Sequence, residues 1–128
     1  MIGYVTLGTT DLARAGDFYD ALLAEIGAKR HMGSERFIAW AVRPDQPALG
    51  VILPYDGAPA SVGNGTMVAL VVDSPGKVDR LYTRAIELGG RSEGPAGRRG
   101  PGFYAGYFRD LDGNKLNVFC MVAAPASS

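Results

Sequence analysis

The sequence predicts an α+β domain made of two copies of one strand–helix–strand unit. Three observations point there. Hydrophobic residues recur first with strand spacing, then with helix spacing, then with strand spacing, and the whole order repeats once. A shift of 63 residues superposes the two runs, placing Val5 on Val68, Leu7 on Leu70, Tyr19 on Tyr82 and Leu22 on Ala85. The length of 128 residues suits one domain and is too short for two ordinary ones. The chain therefore reads as one domain over 1–128, with a first module over about 1–60 and a second over about 64–123.

Each element has a local cause. Residues 2–7 are short, β-branched and aromatic, hence a strand. Thr10 or Asp11 can cap a helix. Leu12, Ala15, Phe18, Tyr19, Leu22, Leu23 and Ile26 give that helix an apolar stripe, and Gly27 stands where a left-handed cap would end it. Residues 36–42 read as a strand with Arg36, Ile38, Trp40 and Val42 on one face. Pro44 and Pro47 mark a turn before a strand over 49–53, and 54–65 is a loop rich in Gly, Pro, Ser and Asn. The second module opens with a strand over 67–72. Ser74 caps a helix whose first residue is Pro75 and whose apolar face is Val78, Leu81, Tyr82, Ala85 and Leu88. Gly89 and Gly90 end it, and 94–102 reads as a glycine- and arginine-rich loop. Strands over 103–109 and 115–122 are joined by Asp110-Leu111-Asp112-Gly113-Asn114, a hairpin signal, and the tail over 123–128 is expected to fray.

Composition narrows the function. Thirteen basic and thirteen acidic residues cancel, so there is no electrostatic case for nucleic acid as a partner. No apolar run approaches the ~20 residues needed to span a bilayer, so no membrane partner is expected either. The first residues lack a basic region and an apolar core, and they read as a strand rather than a signal peptide. The expected location is the cytoplasm. A single cysteine, Cys120, makes no intramolecular disulfide, and alternation places it on the helix side as a small buried hydrophobe. A single histidine, His31, forbids any metal site needing two imidazoles from one chain, and it reads as an exposed loop residue. Phosphate-loop and dinucleotide fingerprints are missing, and Asp110, Asp112 and Asn114 do not complete a calcium loop.

Two stretches carry a family resemblance. The first strand followed by Thr9-Thr10-Asp11-Leu12, then Phe18-Tyr19, Leu22-Leu23 and Gly27, resembles the opening of the vicinal oxygen chelate superfamily. That group includes glyoxalase I, bleomycin-resistance proteins and extradiol dioxygenases. Residues Tyr104 to Leu116 are similar to its closing signature, with Leu111 in the place of the usual proline. The resemblance covers nearly the whole chain. It implies two tandem βαβββ modules whose curled mixed sheet surrounds a cleft, with the helices outside, and it implies a homodimer.

It also implies where a divalent metal would sit: on ligands from the first strand, the start of the second module and the last strand. Those positions hold Tyr4, Met67 and Asn117. A phenol, a thioether and an amide are poor ligands for such an ion, so the expectation is a chain without the usual metal centre and without a cofactor. The resemblance then shifts toward metal-free relatives that sequester a small-molecule ligand. The alternatives are a glyoxalase- or dioxygenase-like enzyme with an atypical site, and a non-catalytic interaction module.

Alternation nominates the residues of the ligand-binding cleft: Tyr4, Trp40, Met67, Tyr107, Asn117, Phe119 and Met121. Met and aromatic residues suit an adaptable apolar pocket, with Tyr4 and Asn117 as its polar groups. Trp40 is either an aromatic wall for a flat ligand or ordinary core. Tyr107 either offers its hydroxyl or completes the core. Arg98 and Arg99 either clamp an anion at the cleft mouth or form a solvated surface pair.

Overall fold

The elements run β1 (Tyr4–Gly8), α1 (Leu12–Ala24), β2 (Lys29–Gly33), β3 (Phe37–Ala41), β4 (Ala48–Ile52), then β5 (Val68–Val71), α2 (Pro75–Glu87), β6 (Arg91–Arg98), β7 (Phe103–Arg109) and β8 (Lys115–Met121). This computed structural model describes residues 1–123, so most of the tail expected to fray, 124–128, lies outside the described residues. The chain divides into two units, residues 1–64 and residues from 65 onward. Each is a βαβββ module with one helix on a four-stranded mixed sheet. The strand orders are β1-β4-β3-β2 and β5-β8-β7-β6. In both, the first strand pairs in parallel with the last and the other pairs are antiparallel.

The helix starts follow from their caps. Asp11 accepts a hydrogen bond from the Arg14 N–H at 3.0 Å, and Ser74 accepts one from the Lys77 N–H at 3.3 Å. Of Thr10 and Asp11, the structure selects Asp11 as the cap. The two helices keep the 63-residue spacing at both ends, Leu12 to Pro75 and Ala24 to Glu87. Beyond them the repeat slips. In the first unit Gly27 takes φ +77° and the Ala28 N–H donates to Leu23 O; in the second Gly89 takes φ +102° and the Gly90 N–H donates to Ala85 O. The sequence shift pairs Gly27 with Gly90, but the left-handed cap that matches Gly27 is Gly89, because the turn that follows the second helix comes one residue sooner.

The first core packs Ala15, Phe18, Tyr19, Leu22 and Leu23 of α1 on Leu7, Ile38, Trp40, Leu49 and Val51 of the sheet. The second packs Val78, Leu81 and Ala85 of α2 on Phe108, Leu116, Val118 and Cys120. Cys120 is 1% exposed, as alternation predicts, and burial pushes its thiol pKa up.

Two segments read as loops are strands. β2 carries His31 on an exposed edge of its sheet. β6 occupies most of the glycine- and arginine-rich stretch, pairing with β7 through register shifts between Ser92 and Gly94 and between Gly94 and Gly97. Neither segment has strong β propensity of its own. Both are held by the neighbouring strand, and the bulges in β6 leave room for Pro95.

Candidate functional site

Alternation gives each sheet one face under its helix and one face turned away from it. In the second unit the face turned away from α2 has a legible pattern. Cross-strand register sets Lys115 beside Arg109, Asn117 between Ala69 and Tyr107, Phe119 between Val71 and Ala105, and Met121 beside Phe103. One end of this face is therefore charged and polar, and the other is aromatic and aliphatic. Val71 and Met121 are 69% and 71% exposed, and the Phe103 and Phe119 rings lie 5.3 Å apart at a tilt of 41°.

Asn117 stands where the two ends meet. It is 2% exposed, and its Oδ1 accepts no hydrogen bond from the described residues. A buried acceptor left without a donor costs about 1–3 kcal/mol, so evolution of a purely structural core would favour an apolar residue here.

The polar end is built on Tyr107. The Arg99 guanidinium carbon lies 5.6 Å from the ring centroid and the Lys115 Nζ lies 5.7 Å from it. Arg99 donates to the backbone carbonyls of Pro95 and Arg98. Arg109 is committed elsewhere: its Nε donates to Glu93 Oε1 at 2.7 Å and its Nη1 to Gly113 O at 3.0 Å. That guanidinium holds the Glu93 carboxyl below its ordinary pKa, with Lys115 and Arg91 acting in the same direction.

Below this end, the turn after β7 is fixed by Asp110. Its carboxylate accepts from the N–H groups of Asp112 and Asn114, both at 2.9 Å, and from Asn114 Nδ2 at 3.0 Å. The Asp110–Asn114 hairpin signal thus sets the register that brings Asn117 opposite Tyr107.

Of the residues nominated from sequence, Tyr107, Asn117, Phe119 and Met121 come together on this face. Met67, 41% exposed, directly precedes β5 and shares its alternation with Ala69 and Val71. Tyr4, 67% exposed, lies on the first unit's sheet, on the face turned away from α1.

Trp40 does not belong to any open face. It is 1% exposed, packs against Tyr19 at 5.5 Å between centroids, and donates its indole N–H to Asp20 at 2.8 Å. The expectation that Trp40 lines a cleft is corrected to a core role. Ile38 and Trp40 share a face, as alternation predicts, but register with Leu49 and Val51 turns that face under α1. Lys115 escaped notice in the sequence, although it shares the odd-numbered alternation of Asn117, Phe119 and Met121. Arg98 and Arg99 separate: Arg98 reaches the Ala123 carbonyl, and only Arg99 lies over Tyr107.

The first unit holds a separate hollow of about 380 Å³ between Thr9, Arg36 and the loop over 54–60. The Arg36 guanidinium there donates to the Leu53 and Pro54 carbonyls at 3.2 and 2.8 Å, so its visible task is to fasten the loop.

The donor set at the three implied metal positions does not fit a divalent cation. A phenol, a thioether and a carboxamide offer no anionic ligand and no imidazole. Among the described residues no three His, Cys, Asp or Glu side chains cluster suitably for a metal. Near Asn117's end of the sheet the Glu93 carboxylate is held by Arg109 and the Asp110 carboxylate by the turn it fixes.

Comparison with known proteins adds the wider context. Residues 1–118 match the family model for the Glyoxalase/Bleomycin resistance protein/Dioxygenase superfamily. A glyoxalase/bleomycin resistance protein from Albidiferax ferrireducens T118 is similar at 32% identity and a TM-score of 0.87, over 95% of this chain and 99% of that one. A lactoylglutathione lyase from Agrobacterium tumefaciens shares the fold at 22% identity and a TM-score of 0.69, over 94% and 92%. A fosfomycin resistance protein from Mesorhizobium loti does so at 17% identity and a TM-score of 0.66, over 95% and 92%. Comparison with curated proteins gives no match.

Proposed function

The chain belongs to the Glyoxalase/Bleomycin resistance protein/Dioxygenase superfamily, and from that premise we propose that it is a small-molecule-binding protein working without the superfamily's usual metal. The observation that carries this reading is Asn117. An amide oxygen buried at the centre of a sheet face and lacking a donor is a poor structural choice, and it becomes a ligand contact when a neighbouring side chain moves aside. Phe103, Phe119 and Met121 beside it supply apolar contact for the body of a ligand. Tyr4 and Met67, in place of imidazole ligands, support metal independence. Exposed Tyr4, Val71 and Met121 support a homodimeric binding form, and the unpaired Cys120 is consistent with a reducing, cytoplasmic setting.

A thermal-shift screen of chelator-treated protein against thiol conjugates, glycopeptide drugs and aromatic acids tests the reading. We expect at least one class to raise Tm without added metal. The Asn117→Leu variant is expected to lose that rise while melting no lower than the wild type, since the orphan acceptor is gone. Binding that needs a divalent metal to be restored would overturn the proposal.

A further inference from the structure

We propose that the ligand of the second sheet's open face is an anion, a small planar molecule bearing a carboxylate or similar oxyanion beside a hydrogen-bond donor. This rests on the binding role argued for Asn117 and adds the charge of what is bound.

The argument starts from two cations on one ring. Arg99 and Lys115 both lie within 6 Å of the Tyr107 centroid, at 5.6 and 5.7 Å. Neither forms an ion pair among the described residues, although Lys115 acts on the Glu93 carboxyl that Arg109, on the same face, holds at 2.7 Å. Arg99, Tyr107 and Lys115 are each partly buried, so solvent screens the two charges less than it would at an open surface. Arg99 reaches the ring from the β6 side and Lys115 from β8, and an anion beside the ring would gain charge-assisted hydrogen bonds from these cations. Arg99 keeps donors for it, because its backbone partners occupy only part of the guanidinium fork.

Asn117 sets the second requirement. It stands opposite Tyr107 in the register, a cross-strand spacing on the order of 5 Å. Its unpartnered Oδ1 accepts, so the ligand must donate an N–H or O–H about one ring-width from its anionic group. Phe103 and Phe119 then meet the apolar edge of a flat molecule. The charge balance agrees: the chain from residue 65 onward carries eight basic and six acidic residues, and the first 64 carry five and seven.

The test is an amide NMR titration of the full chain with 3-hydroxybenzoate and with its neutral counterpart 3-hydroxybenzamide. Both are expected to shift amides of β7 and β8, and the acid is expected to bind at least about tenfold more tightly. The double variant Arg99→Gln/Lys115→Gln should bring the acid-to-amide affinity ratio close to one. In case that variant misfolds, raising NaCl from about 0.05 M to about 0.5 M on the wild type should shrink the same preference. Equal affinity for acid and amide, or a preference that survives both neutralisation and salt, overturns the anion inference and leaves small-molecule binding standing. No perturbation of β7 and β8 by either probe overturns the anion inference as well.

Discussion

The two units share element order and helix length, yet they bring helix and sheet together in opposite ways. In the first, the helix yields. A Cβ on Gly16 would stand 3.0 Å from Ile38 Cδ1 and 2.8 Å from Arg30 Nη2, so the glycine lets strands β2 and β3 close on α1. In the second, the strand yields. A Cβ on Gly106 would stand 3.0 Å from Tyr82 Cδ1, so β7 makes room for the helix's aromatic ring. At the helix position matching Gly16 stands Asp79, which accepts from the Tyr104 hydroxyl at 2.7 Å. At the sheet position matching Phe108 stands Trp40, tied to Asp20 instead. A repeat of this kind preserves spacing and period. It leaves free which partner of each contact is small, and that freedom lets the open faces diverge too.

The largest expected effect tests that pair of sheet positions. Trp40→Ala should cost about 3–5 kcal/mol by chemical denaturation, the range for a buried aromatic reduced to alanine. It should exceed Phe108→Ala, because it also strips Asp20 of its indole donor. A smaller loss at Trp40 than at Phe108 would break the comparison.

The aligned glycines come next. A Cβ on Gly90 would meet two backbone oxygens, Ala85 O at 2.7 Å and Arg109 O at 2.8 Å, and neither can swing aside. Gly27, its partner in sequence, has open space but φ +77°. Gly90→Ala should therefore cost about 3 kcal/mol through overpacking, and Gly27→Ala only about 1 kcal/mol through left-handed strain. Equal melting shifts would mean that both glycines serve one purpose.

The smallest effect concerns charge. The hydrogen bond from Arg30, and secondarily the one from Trp40, holds the Asp20 carboxyl below the usual carboxylate range against the opposing pull of desolvation. A depressed folded-state pKa gives stability that is present above the unfolded pKa near ~3.9 and lost as pH falls through the folded value. Both side chains are nearly half exposed, 43% and 48%, so screening limits the contribution to under about 1 kcal/mol. The stability gap between wild type and Asp20→Asn should be present at about pH 7 and close by about pH 2. A gap that does not narrow would assign the loss to packing.

Much of this architecture was legible in the sequence, for physical reasons that can be named. Asp11, Ser74 and Pro75 are local signals, and the caps they encode are where the structure has them. The Asp110–Asn114 turn is equally local, and with it came the alternation that gathers Asn117, Phe119 and Met121. What was not legible depends on partners far along the chain. β2 and β6 become strands through pairing with β3 and β7, which no window of their own residues reveals. The phase of β3 was ambiguous because Ile38 and Trp40 suit either a core or a ligand wall, and only their register against Leu49 and Val51 decides it. Lys115 sits at a strand's first residue, where a lone lysine looks like solvent-facing charge until Tyr107 is found beneath it.

Trp40 has one more consequence. It is the only tryptophan in the chain, and it lies in the first unit between Tyr19, Asp20 and Arg30. Intrinsic emission excited at the red edge of the indole band is therefore a one-sided optical gauge. It follows the loosening of α1 against β3 and carries no chromophore of its own on the face around Asn117. A ligand on that face can leave the emission unchanged, so a silent fluorescence titration is no evidence against binding.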